Sequence, residues 1–500
     1  MPAKATRREW IGLAVLALPC VIYAMDLTVL NLAVPSLAAD LQPTAAQLLW
    51  IVDIYGFLAA GSLLIMGTLG DRIGRRKLLL IGSASFGFAS LFAAFARSAE
   101  MLIVARALLG IAGATMAPST LSLISNMFSD DREKTFAVSV WVASFSFGGA
   151  IGPVVGGVLI AYFWWGAVFL APIPIMVLLL LLGPKLLPEH KNPNAGGIDV
   201  LSAVLTLAAV LPIIYGIKRA AEGGSAPLAV AAIAVGTICG AIFLRRQVSL
   251  ADPLLDVRLL KRPALAAALA INTFDFFVGF GILVLVAQYL QLVLGLTPLQ
   301  AGLWGLPPGL GFVVGSLLTS PALKLMRPAY VLGSGLILAA GGLVLMAHAG
   351  GAHSLMLMIV GNTIFAIGAA PGTAIVANFV VSSAPPEQSG AASALSETVS
   401  EFGGALGIAL LGSLATFLYR SALASTLPTD IPTDAVETAL RGIGPASSLA
   451  PTIGGGAELL SAARNAYTAA ADIALLSAAG IMVLTAILAV ATFRNPKTGD

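Results

Sequence analysis

The fourteen residues GTLGDRIGRRKLLL, Gly67–Leu80, stand between two long apolar runs and interrupt them with one acid and four cations. Gly67, Gly70 and Gly74 permit a tight turn with close backbone approach. Asp71 lies within ion-pairing reach of Arg72, Arg75 and Arg76. Because each flanking run has about the 20 apolar residues that a hydrocarbon crossing requires, this turn reads as a connection at one membrane face.

Working outward, the same alternation of apolar run and short polar turn covers the chain. Of its 500 residues, 58% are hydrophobic and 10% charged, with mean hydropathy +0.96; a soluble domain carries about 25% charged residues. An all-α polytopic membrane protein is expected, with about fourteen transmembrane helices. Of the 27 Lys and Arg, only Arg97, Lys218, Arg219, Arg420, Arg441 and Arg464 fall on the side opposite the N-terminus, and Arg106 falls inside a span. By the positive-inside rule both termini face the cytoplasm and the chain is a multi-pass protein of the cell membrane. A net charge of +3 gives no basic surface for nucleic acid. Cys20 and Cys239 lie in separate spans, and His190, His348 and His353 do not converge, so neither a disulfide nor a metal site is expected. No phosphate-binding glycine loop of the ATPase type occurs, and no cofactor is expected.

The fifth apolar run contains SFGGAIGPVVGGVL, in which Gly148, Gly152 and Gly156 share a helix face beside Pro153 and Gly157. Small residues at this spacing let a neighbouring helix pack closely, and the proline permits a bend.

Both motifs resemble signatures of the major facilitator superfamily: the first, its ion-paired cytoplasmic gate; the second, the glycine-proline string of its antiporters. MDLTVLNLAVPSL (Met25–Leu37), RALLGIAGA (Arg106–Ala114), QYLQLVLGLTPLQAGLWGLPPG (Gln288–Gly309) and PPEQSGAASALSETVSEFGGALGIALLG (Pro385–Gly412) are similar to stretches of its fourteen-helix drug:proton antiporters. Within these the chain looks most similar to the quaternary-ammonium exporters, which carry an acid in the second helix and another in the thirteenth. The resemblance implies a major facilitator fold: a six-helix bundle over 10–183, two inserted helices over 198–244, and a second bundle over 263–494. It also implies proton-coupled efflux of hydrophobic mono- and divalent cations by alternating access, from a monomer. A same-fold exporter of a lipid, antibiotic or metabolite is the alternative; a polytopic membrane enzyme is a remote one.

The embedded ionisable residues are Asp26, Asp53, Arg106, Asp275, Glu397 and Glu401, with Asp472 expected at the lip of the last span. An ionised group at mid-membrane costs roughly 2.5–3.5 kcal/mol on insertion scales, so its presence points to function. A buried carboxyl that chooses between a proton and a lipophilic cation is the simplest exchange device. Asp26, Asp53, Glu397 and Arg106 are the candidates for proton coupling, although Asp26 also suits a structural hydrogen bond. Asp53, Trp50, Tyr55, Asp275, Phe276, Glu397 and Glu401 are the candidates for substrate contact, the aromatic rings by cation–π attraction. Asp53 also suits an interfacial position, and Glu401 a water-facing one. One proton exchanged for one monovalent cation is electroneutral, whereas a second adds the membrane potential as a driving force. Finally, 419–471 is expected outside the membrane as a loop or a helical hairpin, with Thr433 or Asp434 capping one helix and AELLSAARNAYTAA forming the other.

Overall fold

Backbone groups that enter hydrocarbon must find partners within their own segment, and helix is the answer for an apolar run of this length. The computed structural model describes residues 4–43, 45–189, 191, 199–221, 225–250, 263–352, 354–382, 389–427 and 431–493, and no strand occurs among them. The helices are α1 (Arg7–Leu41), α2 (Ala45–Ile73), α3 (Arg75–Ala94), α4 (Ala99–Gly113), α5 (Met116–Met127), α6 (Asp131–Tyr162), α7 (Pro172–Leu186), α8 (Val200–Ala221) and α9 (Ala226–Ser249). They continue as α10 (Pro263–Gln288), α11 (Pro298–Leu303), α12 (Leu306–Leu325), α13 (Pro328–Ala352), α14 (Leu355–Ser382), α15 (Ser389–Thr426), α16 (Thr433–Leu440), α17 (Ile443–Leu449) and α18 (Gly456–Phe493).

Twelve of the described helical stretches are long and apolar enough to cross a membrane. A thirteenth is α2, bent by 51° between Ile54–Leu63 and Ile65–Ile73. The expected seventh span is α8, 22 residues long, of which Val204–Ile217 is an apolar stretch among the described residues. The count of fourteen is thus met only roughly among the described residues. Asp199 caps α8 by accepting from the Ser202 N–H at 3.1 Å, and it pairs with Arg246 at the end of α9, also at 3.1 Å.

By backbone packing the chain divides into two units. The first comprises Met1–Ala208, Cys239–Leu269 and Val376–Phe402; the second comprises Ala209–Ile238, Ala270–Ile375 and Gly403–Asp500. The division passes through α8, α9, α10, α14 and α15.

In the first unit α1 is the central element. Thr6 and Glu9 form a capping box at its start, with the Thr6 N–H donating to Glu9 Oε2 at 2.7 Å. Its buried side chains run from Leu13 to Leu37, against α5, α6 and α7. The packing on α6 depends on the glycine face: a Cβ at Gly148 would overlap the Val21 carbonyl, one at Gly152 the Thr28 hydroxyl, and one at Gly156 the Val29 side chain. α6 runs through Pro153 without interruption.

In the second unit α13 packs along α18, whose buried face is alanine-rich: Ala463, Ala466, Ala470, Ala474 and Ala478. The expected arrangement of the last connection needs correction here. α16 and α17 form two short helices, but α16 begins after Pro432 with neither Thr433 nor Asp434 as its cap. AELLSAARNAYTAA is not a separate helix; it is the first part of the 38-residue α18. The polar residues that suggested a break have partners. Arg464 Nε donates to the Leu292 carbonyl at 3.0 Å, in the π-helical turn Tyr289–Val293, and the Tyr467 hydroxyl donates to the Leu285 carbonyl at 3.2 Å. Asp472 is therefore a mid-helix residue.

Candidate functional site

Gly110 of α4 has no side chain, and a Cβ there would collide with the Tyr55 carbonyl of α2. The close approach that results brings Arg106, one turn earlier, into the space between α2 and α1. Arg106 Nη1 donates to Asp26 Oδ2 at 2.6 Å, and Arg106 Nε donates to the Ile51 carbonyl at 3.3 Å. Each side chain of the pair is only 2% exposed. The guanidinium also lies 4.5 Å from the centroid of the Tyr55 ring. Two charges taken out of water cost several kcal/mol each, a loss that only good geometry and added hydrogen bonds offset; here the pair has both.

From Tyr55 a row of rings continues. The Tyr55 and Tyr23 centroids are 6.0 Å apart, Tyr23 and Phe145 also 6.0 Å, and Phe145 and Trp141 4.8 Å. Trp141 Nε1 donates to the Thr120 hydroxyl at 2.9 Å. The Tyr23 hydroxyl donates to Glu401 Oε1 of α15 at 2.8 Å. Glu397, one turn before Glu401, has no hydrogen bond among the described residues and lies within electrostatic range of Cys20 and Tyr23. The Tyr55 hydroxyl is buried without a hydrogen-bond partner among the described residues. Six aromatic and charged side chains from α1, α2, α4 and α6 thus form a connected row that reaches Glu401 of α15 through Tyr23, all within the first unit. The glycine face of α6 clamps α1 between Val21 and Val29, the stretch that carries Tyr23 and Asp26.

Of the residues singled out in the sequence, Asp26, Arg106, Tyr55, Glu397 and Glu401 come together here. The Tyr55 face expected to receive a cation is instead covered by Arg106. Trp50 is half-buried and takes no part in the row of rings. Asp53 lies in α2, but its side chain falls outside what the structure describes. Tyr23, Phe145, Trp141 and Thr120 were not foreseen. Their signal was spacing alone: Tyr23 three residues before Asp26, and Trp141 and Phe145 four apart on the helix that bears the antiporter-like string.

Asp275 belongs to the second unit. It is 5% exposed; its Oδ2 accepts from the Thr373 hydroxyl of α14 at 3.2 Å, and its Oδ1 has no partner among the described residues. Phe276 stacks on Phe280 at 5.9 Å.

The turn after α2 is closed by ion pairs in the first unit. Arg75 donates to Asp71 through Nε at 2.8 Å and Nη2 at 2.6 Å, and is itself 1% exposed. Arg76 binds the end of α7, its N–H donating to Glu189 Oε1 at 3.0 Å and its Nη1 to the Leu187 carbonyl at 3.0 Å. Arg72 is exposed and joins none of these contacts. Gly74 is the whole turn, with φ +111° and the Glu189 carboxylate where a Cβ would stand. Gly74→Ala should therefore lower stability by about 1–3 kcal/mol. Thermal unfolding in detergent measures this, and an unchanged midpoint would count against a required left-handed backbone.

The sequence pattern of the Major Facilitator Superfamily matches residues 16–408 and 265–499. Among curated relatives, the chain is 40% identical over 491 residues to the multidrug efflux pump LfrA of Mycolicibacterium smegmatis, covering 98% of this chain and 97% of that protein. It is 33% identical over 503 residues to the methyl viologen resistance protein SmvA of Salmonella typhimurium, covering 96% and 97%. Among solved structures, a bacterial homolog of the human lysosomal transporter Spinster matches with TM-score 0.65 and 16% identity, covering 98% of this chain and 100% of that one.

Proposed function

This chain belongs to the Major Facilitator Superfamily, and from that premise we propose that it exports hydrophobic mono- and divalent cations, quaternary ammonium compounds and dyes among them, in exchange for protons. The observation that carries the reading is an unbalanced charge. Asp26 has Arg106, but among the described residues Glu401 is held only by the Tyr23 hydroxyl and Glu397 has no hydrogen bond, beside a row of aromatic faces. Carboxylates four residues apart on one helix repel. A proton or a lipophilic cation relieves that repulsion equally well, and the empty charged site is costly to carry through a dry intermediate. Loading by one guest therefore displaces the other. Aromatic rings add cation–π attraction of about 0.5–2 kcal/mol and favour cations over neutral compounds of the same size. One relative's name records resistance to methyl viologen, an organic dication, and the other's records multidrug efflux.

Under this reading two bundles, over 10–183 and 263–494, rock about the site while the helices over 198–244 stay between them. The Asp71–Arg75 and Arg76–Glu189 pairs then act as the gate on the cytoplasmic side, and both termini face the cytoplasm of a cell membrane. Each pH unit across that membrane contributes about 1.4 kcal/mol per proton exchanged.

Everted vesicles that contain the protein test the reading. An imposed proton gradient should drive ethidium accumulation, a protonophore should collapse it, and Glu401→Gln should lower its rate at least about tenfold, the loss of one charge-assisted contact. Ethidium movement indifferent to the gradient would remove proton coupling; an unchanged rate in Glu401→Gln would remove the site.

A further inference from the structure

Asp26 and Asp275 differ in what neutralises them. Asp26 is buried against a guanidinium at 2.6 Å and needs no proton to remain there. Asp275 is equally inaccessible and has no cation beside it among the described residues. α10 contains no other ionisable side chain, and α14 contains none at all. In the second unit α15 carries only Tyr419 and Arg420, seventeen residues or so along the helix from Gly403, about 25 Å by helical rise. Glu397 and Glu401 stand earlier on the same continuous helix, Glu401 two residues before Gly403, and both are acids, so neither supplies Asp275 with a cation. Around Asp275 are the Thr373 hydroxyl, which donates to Oδ2, and the α14 backbone, so close that a Cβ at Gly372 would stand 2.9 Å from Oδ2. α15 holds α10 on either side of the acid, with Gly403 against Thr273 and Gly407 against Phe277. The carboxyl therefore cannot swing to water by a change of rotamer alone.

An ionised carboxylate with no partner in such surroundings costs far more than a neutral carboxyl. Thr373 donates to one oxygen, and the other oxygen, Oδ1, is left for a hydrogen. We infer that Asp275 is a proton-carrying residue, separate from the Asp26–Arg106 and Glu397–Glu401 groups, and that it moves a second proton in each cycle. In the uptake step hydronium transfers a proton to Oδ1, an O–H bond forms there, and water is left. In the release step water on the other side takes that proton. Thr373 is a positioning residue: it keeps Oδ2 in the accepting role and so directs the proton to Oδ1. Pro371, two residues earlier, lacks the N–H that would tie α14 into a continuous ladder and permits local bending there.

The inference rests on the proposed proton-coupled export and gives it a stoichiometry. Two protons in for one monovalent cation out moves one net positive charge inward per cycle. At fixed pH gradient each ~60 mV of potential, negative on the cytoplasmic side, should then change the limiting cation ratio about tenfold. The test uses the full chain in proteoliposomes, with tetraphenylphosphonium as cargo and a valinomycin-set potassium potential. Wild type should show that tenfold response. Asp275→Asn should keep export driven by the pH gradient but lose the response to potential, and Asp275→Glu should retain it. If wild type fails to respond to a pH gradient, the proposed function fails. If it responds to the pH gradient but not to potential, or if Asp275→Asn responds to potential as wild type does, the second proton is overturned and the proposed function stands. Should Asp275→Asn not fold, infrared difference spectra of wild type and Thr373→Val replace it. A protonated-carboxyl band at neutral pH that shifts on loss of the Thr373 hydroxyl supports the inference, and a band that is absent or unmoved overturns it.

Discussion

Arg106→Leu should lower stability by about 3–5 kcal/mol and reduce transport to background, because it leaves Asp26 as a buried charge without its partner. The side chains meet at 2.6 Å with 2% exposure each, so little solvent is available to take over. The Ile51 carbonyl and the Tyr55 face lose their partner at the same time. Asp26→Asn in the Arg106→Leu background should restore most of the stability, since removing both charges also removes the unpaired one. Transport should remain at background in that double variant if the carboxyl itself takes part in exchange. Thermal unfolding of the four proteins measures the coupling. A double variant no more stable than Arg106→Leu would show that the pair is not what holds these helices together.

Two neighbouring glycines should respond in opposite directions to the same change. Gly148→Ala places a methyl group on the Val21 carbonyl, a backbone atom that cannot rotate away, and should cost about 1–3 kcal/mol by forcing α6 from α1. Gly149→Ala meets nothing within 4 Å and should be neutral or stabilising by up to about 1 kcal/mol, the helix-propensity gain. Because α1 carries Tyr23 and Asp26 at this contact, Gly148→Ala should also lower the export rate while Gly149→Ala leaves it unchanged. Equal unfolding midpoints for the two variants would contradict the close packing.

The helices were legible because apolar length is a one-dimensional property, and so was the membrane class. Asp26, Arg106 and Glu401 were legible for a related reason: a charge inside an apolar run is conspicuous wherever it falls. Tyr23, Phe145, Trp141 and Thr373 were not, since an aromatic or hydroxyl side chain in a span has the same local sequence whether it faces lipid, a neighbour or a carboxylate. The error at the start of α18 has another cause. Hydropathy reads Arg464 and Asp472 as the edge of a span, but helix continuity depends on backbone geometry, and the Leu292 carbonyl in the π-turn gives Arg464 a partner. Trp50 illustrates the converse: proximity to Asp53 along the chain suggested a shared task, and the row of rings formed without it.

The length of α18 has a practical consequence. Its 38 residues extend about 57 Å, nearly twice the depth of the hydrocarbon layer. Just before it, Gly454 and Gly455 have open space around them, and Gly455 sits at φ +75°. A fluorophore spliced between those two glycines would be mounted at the tip of a rod instead of on a slack tether. Its polarisation would register tilt of the rod, turning the last helix into an optical pointer for the working cycle.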